Sequence, residues 1–445
     1  MTADAMAACL QAAGYRPDAA ASRAAWLDCA AVEFQRVTGA LPEWRWCVPG
    51  RIEVFGKHTD YAGGQSLLAA VPRGFAVVAR PRTDGCVRVI DARHGDVAVI
   101  DVDDRDRVWR GWANYAAVVV RRLAMNFPGA SLGADIAIAS DLPRAAGLSS
   151  SSALVVGVAL ALVRRAGLER HELWRQDIAG VEDLAWYLGC VENGLTYKSL
   201  AGSAGVGTHG GSQDHTAILA CQAGCVSQYG FIPVRSLGTA VMAAQWRFVV
   251  ASSGVHADKA GSVRVRYNRA SLAVRALLEL WNRFAPEPAA SLGAALSCGE
   301  ESEAQMRHAI ARTPISDFSR EDLERRLTQF VGETARVPLA AAAFASADRS
   351  ALRALAEASQ QGAEQGLNNQ IPETVALCGL AYDEGAFGAS AFGAGFGGSV
   401  WAMVPAGEAD DFGAAWIERY REAFPHRDKA EWFSASPGPA AVEVA

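Results

Sequence analysis

The sequence predicts an α+β protein of two domains, and three observations lead there. At 445 residues the chain is longer than a single core usually serves. A β-branched stretch from Trp46 to Ala139 gives way to long helical segments that begin at Ala153. The cycle then repeats from Trp246, with a strand, several helices and a second apolar strand at Val400–Val404.

The elements follow in order. Residues 1–45 mix alanine with Leu, Trp, Phe and Arg at helical spacing, which predicts one or two helices as an N-terminal extension. Strands are expected at Gly74–Ala79, Val87–Ile90 and Val97–Ile100, separated by turn residues such as Thr83, Asp84 and Gly85. The strand Ala134–Ala139 leads into a glycine and four serines. Helices should run from Ala153 to Arg165 and from about Glu169 to Cys190, with a strand pair after His215. Pro233 and Gly238 then interrupt the pattern, which sets the expected domains at 46–235 and 236–445. Beyond them come a strand at Trp246–Ala251, a long helix at Val263–Phe284 and further helices to about Leu367. A glycine segment, Gly393–Ser399, precedes the last apolar strand.

With 51% apolar and 20% charged residues, the chain has the composition of a soluble globular protein. A net charge of −6 argues against a nucleic-acid partner, which would call for a basic patch. The start Met1–Ala5 lacks a basic, then apolar, leader, and no apolar run is long enough for a membrane span. The expected location is cytoplasmic, and the expected state a monomer or small homo-oligomer. Nine cysteines, an odd and scattered set, read as buried reduced thiols, the closest pair being Cys221 and Cys225.

The serine run suggests chemistry. Gly147 lets the backbone approach a ligand, and the free N–H groups at the start of the following helix favour an anion. Ser149, Ser150, Ser151 and Ser152 add hydroxyls for phosphate oxygens or a hard cation. A nucleoside triphosphate is the natural occupant. Such a run also serves as a helix cap, and no Gly-Lys-Ser/Thr follows, so this is not a P-loop.

Three glycine-framed segments occur in a fixed order: Gly50–Tyr61, Pro143–Ala153 and Gly393–Gly398. Together they resemble the galactokinase branch of the GHMP kinases over most of the chain, from about Trp46 to about Val404. That family's first motif, Gly-Arg-x-Asn-hydrophobic-hydrophobic-Gly-Glu-His-Thr-Asp-Tyr, stands here with two departures, Glu53 and Lys57. The second motif carries one extra serine, and the third has Ala394 in place of a glycine. Trp112-Ala113-Asn114-Tyr115 and Tyr267-Asn268-Arg269 look like two further galactokinase motifs. The resemblance implies an N-terminal ribosomal-protein-S5-like domain, a C-terminal ferredoxin-like domain and an active site between them.

It also implies roles. Asp214 matches the catalytic aspartate, Arg51 the arginine beside it, and Gly211 the glycine whose backbone meets the sugar. Gly147, Leu148, Ser149 to Ser152 and Trp112 would bind ATP. Mg²⁺ would take Ser151, or else Ser150, together with Glu192. The longer spacing from Glu192 to Asp214, Ala- and Gly-rich around Leu200–Gly207, leaves Glu182 as a rival. His58, Asp60 and Tyr267 would face the sugar. The expected reaction is ATP-dependent phosphorylation of the anomeric hydroxyl of a hexose or hexuronic acid. A non-catalytic sugar sensor and a kinase for a non-sugar alcohol are the alternatives.

Lys57 sharpens the substrate question. The motif's glutamate accepts a hydrogen bond, whereas lysine has three donors and no acceptor. On that ground Lys57 is expected to bind a substrate carboxylate, as in galacturonate or glucuronate, unless it turns away to pair with a carboxylate such as Glu53.

Overall fold

The computed structural model describes residues 1–104, 107–143, 146–255, 261–315 and 317–445, with only the backbone of 261–263. Arg144 and Ala145 of the second motif therefore lie outside the described residues. The first sheet contains β1 (Trp44–Phe55), β2 (Gln65–Pro81), β3 (Cys86–Asp91), β4 (Val97–Asp101), β5 (Ala134–Ser140), β6 (Cys225–Gly230) and β7 (Arg235–Val241). The second is built from β8 (Trp246–Ser252), β9 (Gly388–Phe392), β10 (Ser399–Pro405) and β11 (Glu431–Ala435). A short β12 (Val442–Glu443) returns to the first sheet, whose order is β12-β1-β2-β5-β3-β4, with β6 on β2 and β7 on β6. Among the described residues only the β3–β5 strand pairing is parallel.

Successive residues of a strand face opposite sides, and here both sides are covered. Cys47, Ala76, Val78, Ala137 and Ala139 pack on the helices Ala3–Ala12 and Pro17–Thr38. Their neighbours Trp46, Val48, Val77, Ile136 and Ile138 join the main core with the helices Trp112–Asn126 and Ser150–Ala166. The N-terminal helices thus belong to the first domain's core and are not an extension preceding it. Pro17 opens the longer one and Gly39, at φ +72°, closes it. Its buried Arg23 donates to the Gly74 carbonyl at 3.1 Å and pairs with Asp141.

Two other expectations are corrected. The helix read from Glu169 to Cys190 is two, Glu172–Asp177 and Val181–Asn193, broken before Gly180. The domain division at 235/236 cuts through β7, which begins at Arg235 and stays in the first sheet to Val241. Residues 436–444 also return: Gly438 N–H donates to Ala70 O at 2.7 Å, and Glu443 pairs with Trp46.

In the second sheet, ordered β11-β8-β10-β9, alternation again assigns the faces. Val249, Ala251, Val400 and Ala402 pack under the helices Pro372–Asp383 and Ala409–Ala423. Phe248, Val250, Trp401 and Met403 on the other face join the main core, so one apolar body bridges the domains. A further cluster, from Leu277, Leu327 and Phe330, clamps Ala62 in the turn after β1. Among the described residues no helix is long and apolar enough to cross a membrane.

Candidate active site

Strand β1 delivers two side chains to one place. Arg51 and Glu53 are two residues apart, hence on the same face, and both line a small cavity between the domains. Arg51 is buried and grips Asp214: its Nε and Nη2 lie 2.8 and 2.7 Å from Asp214 Oδ1. Its Nη1 also donates to the Gly147 carbonyl, which ties the serine loop to the same guanidinium. Asp214 sits in the first turn of the helix Gln213–Ala220, with 19% of its side chain exposed. That exposure leaves the carboxylate open both to this cavity and to a second, larger one.

The smaller cavity is polar. Asp60 is buried there and accepts the Gln213 backbone N–H at 3.1 Å. Burial raises its pKa, opposed by that N–H and reinforced by the nearby charge of Asp214. Gly211 must be glycine, since a Cβ would stand 2.4 Å from Asp60 Oδ2. His58, in the left-handed region at φ 57°, has Nδ1 2.8 Å from the Tyr61 hydroxyl and its ring 5.4 Å from that of Tyr267. Burial keeps the Tyr267 phenol protonated, its pKa well above the ordinary value.

Lys57 is not in this cavity. Its ammonium turns into the seam between the domains and donates to Ser359 Oγ at 2.6 Å and Ser390 Oγ at 2.8 Å. Glu333 lies alongside and accepts the backbone N–H groups of Gly56 (2.9 Å) and Lys57 (3.2 Å). Burial alone would raise the Glu333 pKa, but the Lys57 charge, the Gly56 N–H and Arg336 bring it below the ordinary value. A lysine 1% exposed, with its ammonium turned into this seam and away from the cavity lining, does not reach a substrate carboxylate there. The expected sugar-acid contact is therefore withdrawn, and so is the alternative pairing with Glu53.

The larger cavity is lined by Trp109, Trp112, Gly147, Ser149, Ser150 and Ser151, and it meets the smaller one at Arg51, Asp214 and Ala394. Ser149 occupies the N-cap position of the helix Ser150–Ala166 but makes no capping hydrogen bond, and its hydroxyl is buried without a partner among the described residues. The serine run is therefore not a cap, and its N–H groups remain for an anion. The third glycine segment braces this loop: Ser399 Oγ donates to Ala146 O at 2.6 Å, and a Cβ on Gly393 would stand 3.0 Å from Gly147 O.

Ser152, rather than Ser151, meets Glu192, donating to Oε2 at 2.8 Å with Asp214 Oδ2 at 3.5 Å. His215 Nε2 lies 3.1 Å from the same Glu192 oxygen. The insertion does not displace Glu192, because its carbonyl accepts the Val206 N–H at 2.9 Å and closes the loop on the helix end. Glu182 is elsewhere, capping Ser236 N–H at 3.1 Å. Glu192 and the serine hydroxyls are hard oxygen donors, which suits Mg²⁺. Among the described residues no group of three or more His, Cys, Asp or Glu is placed to hold a metal by itself.

Sequence reasoning missed Glu53, Gln213, His215 and Trp109, all of which line the two cavities. Glu53 carried a usable signal, as a departure from the motif two residues from Arg51. Gln213 and His215 flank Asp214 and reach the site only because a helix starts there.

Three family signatures match the chain: galactokinase galactose-binding signature at residues 32–81, GHMP kinases N terminal domain at 114–183 and GHMP kinases C terminal at 340–422. A galactokinase of Roseiflexus sp. is 30% identical over 393 residues, covering 88% of this chain and 90% of the relative. A galactokinase of Chloroflexus aggregans is 31% identical over 395 residues, with 87% and 90% covered. The fold is similar to that of Lactococcus lactis galactokinase solved in complex with galactose, at a TM-score of 0.75 and 23% identity over 94% of this chain and 99% of that one. With the fold, the signatures and these relatives in agreement, the chain belongs to the galactokinase family of the GHMP kinases, the galactokinase-like sugar kinases.

Proposed function

We propose that this chain transfers the terminal phosphoryl group of ATP to the anomeric hydroxyl of a neutral hexose, with galactose the first sugar to test. One observation supports it above the others: the two cavities meet at the Arg51–Asp214 pair. A sugar among Asp60, His58, Gly211 and Tyr267 would present a hydroxyl to Asp214. A triphosphate against the serine loop and Trp112 would present its last phosphorus to the same point.

Asp214 then accepts the hydroxyl's hydrogen bond and takes its proton as the sugar oxygen bonds to phosphorus. The bond from that phosphorus to the β-phosphate's bridging oxygen breaks, and ADP leaves. Arg51 holds the carboxylate in place through that step. Glu192, with the hydroxyls of Ser151 and Ser152, would hold Mg²⁺, which offsets phosphate charge.

The neutral sugar is favoured over the acid by the charges on the wall. Glu53, Asp60, Glu192 and Asp214 line the cavity, Arg51 is committed to Asp214, and Lys57 faces away. Among the described residues a uronate carboxylate would meet like charge and no free cation. Coupled measurement of ADP release over aldoses and uronates tests this reading. Turnover on galactose or another neutral hexose, with at most weak turnover on uronates, is expected; no turnover on any aldose overturns it.

A further inference from the structure

Among the described residues, Glu53 is the one carboxylate of the smaller cavity to which the proposed reaction gives no task. It is 3% exposed, lines the cavity, and has one oxygen fixed: Oε2 accepts the Gly393 N–H at 3.3 Å, from the second domain. The other oxygen, Oε1, is buried, and among the described residues no donor reaches it in hydrogen-bond geometry. The charged groups around it are occupied. Arg51 is held by Asp214 and Gly147, and Lys57 by Ser359 and Ser390. A buried acceptor in that state is costly to the empty protein and favourable to any ligand that brings it a donor.

We infer that Glu53 determines substrate specificity: its Oε1 accepts a hydrogen bond from one ring hydroxyl of the sugar, other than the hydroxyl that is phosphorylated. The inference rests on the reading of this cavity as the sugar site. The strand geometry separates the two tasks. Arg51 and Glu53 are one pleat apart, about 7 Å along β1, so the side chain that steadies the reacting end is not the one that reads the far end. Gly393 keeps Oε2 occupied, which leaves Oε1 the oxygen available to the sugar. Burial raises the Glu53 pKa to about 7 against the pull of Arg51, Lys57 and Gln213, with Asp214 adding to the rise, as expected of a carboxylate short of donors.

The test measures binding by calorimetry, so that it does not depend on turnover. The full chain, Glu53→Gln and Glu53→Ala are titrated with the hexose and its 2-, 3-, 4- and 6-deoxy analogues. The wild-type protein should lose about tenfold or more in affinity for one analogue only through this contact. In Glu53→Ala the gap between that analogue and the parent sugar should close to about threefold or less, while the other gaps stay as they were. Glu53→Gln keeps the shape and an acceptor oxygen, so it should fold as the wild type does and show a partial closing of the same gap.

If both variants weaken every sugar by one common factor, or leave every gap unchanged, Glu53 reads no hydroxyl and the inference falls. Binding with the expected pattern but without phosphoryl transfer would sustain this inference and remove the kinase reading. Phosphoryl transfer with gaps insensitive to residue 53 would do the reverse, and absence of binding by every hexose would remove both.

Discussion

Replacing Lys57 with methionine separates the two places its ammonium was expected to be. In the structure the substitution empties a buried seam that joins the domains, since Ser359 and Ser390 lose their shared partner and Glu333 loses a neighbouring positive charge. Breaking a buried charge cluster by removing one member costs about 3–5 kcal/mol. A chain of 445 residues has an unfolding entropy near 0.9 kcal/mol/K, from about 2.1 cal/mol/K per residue, if it melts as one unit. Tm should therefore fall by about 3–5 °C. Lys57→Glu, which restores the family's motif residue, should cost more, because its carboxylate would be buried near that of Glu333. The assay is thermal unfolding of the three proteins beside ADP-release kinetics with a hexose and a uronate. For Lys57→Met the ratio of kcat/KM between the two sugars should change by about threefold at most. A Lys57→Glu protein as stable as the wild type, with its sugar preference shifted by about a hundredfold, would refute this and place the ammonium against the substrate.

Three other outcomes are expected. Asp214→Asn should lower kcat by about 10²–10⁴ while sugar affinity changes little, read by single-turnover kinetics beside calorimetry. Gly211→Ala puts a Cβ 2.4 Å from Asp60 Oδ2 and should raise the sugar KM by about tenfold or more while leaving the KM for ATP near its wild-type value. Glu53 gives a pH signature: its folded pKa, about 7, exceeds the ordinary 4.5, so the folded state holds the proton more tightly. Its contribution to stability is full below 4.5 and is lost as pH rises through 7, at most about 3 kcal/mol at ~1.4 kcal/mol per pH unit. In denaturant titrations of the sugar-free protein Glu53→Gln should then gain on the wild type at pH 8 and not at pH 4.5.

Much of the fold could be read from the chain because the strands alternate cleanly and the glycine segments mark the loops. Both faces of β2 and β5 are buried, so their runs of Ala, Val and Ile stood out even though the N-terminal helices that cover one face looked like a separate extension. What sequence could not supply was side-chain direction. Lys57 lies inside the most informative motif, yet Ser359, Ser390 and Glu333, from distant parts of the chain, decide which way it points. Ser151 and Ser152 illustrate the same limit. In a run of four serines the helix phase selects which hydroxyl reaches Glu192, and the extra residue makes that phase unreadable from the motif alone. The pairing of Arg51 with Asp214 was legible because two motifs name both partners.

The return of the last strand to β1 bears on how the molecule is made. At roughly 5–20 residues per second, a ribosome needs on the order of 20–80 s to pass from the end of β1 to the start of β12. Throughout that time one flank of β1 offers unpaired N–H and C=O groups, the arrangement most open to pairing with another nascent chain. Residues 442–444 cover it at Arg45–Cys47, and the contacts of Gly438 with Ala70 and Ala441 with Ile218 hold the returning segment in place. Pairings this distant in sequence form slowly. The domain that is translated first is therefore the one that is finished last.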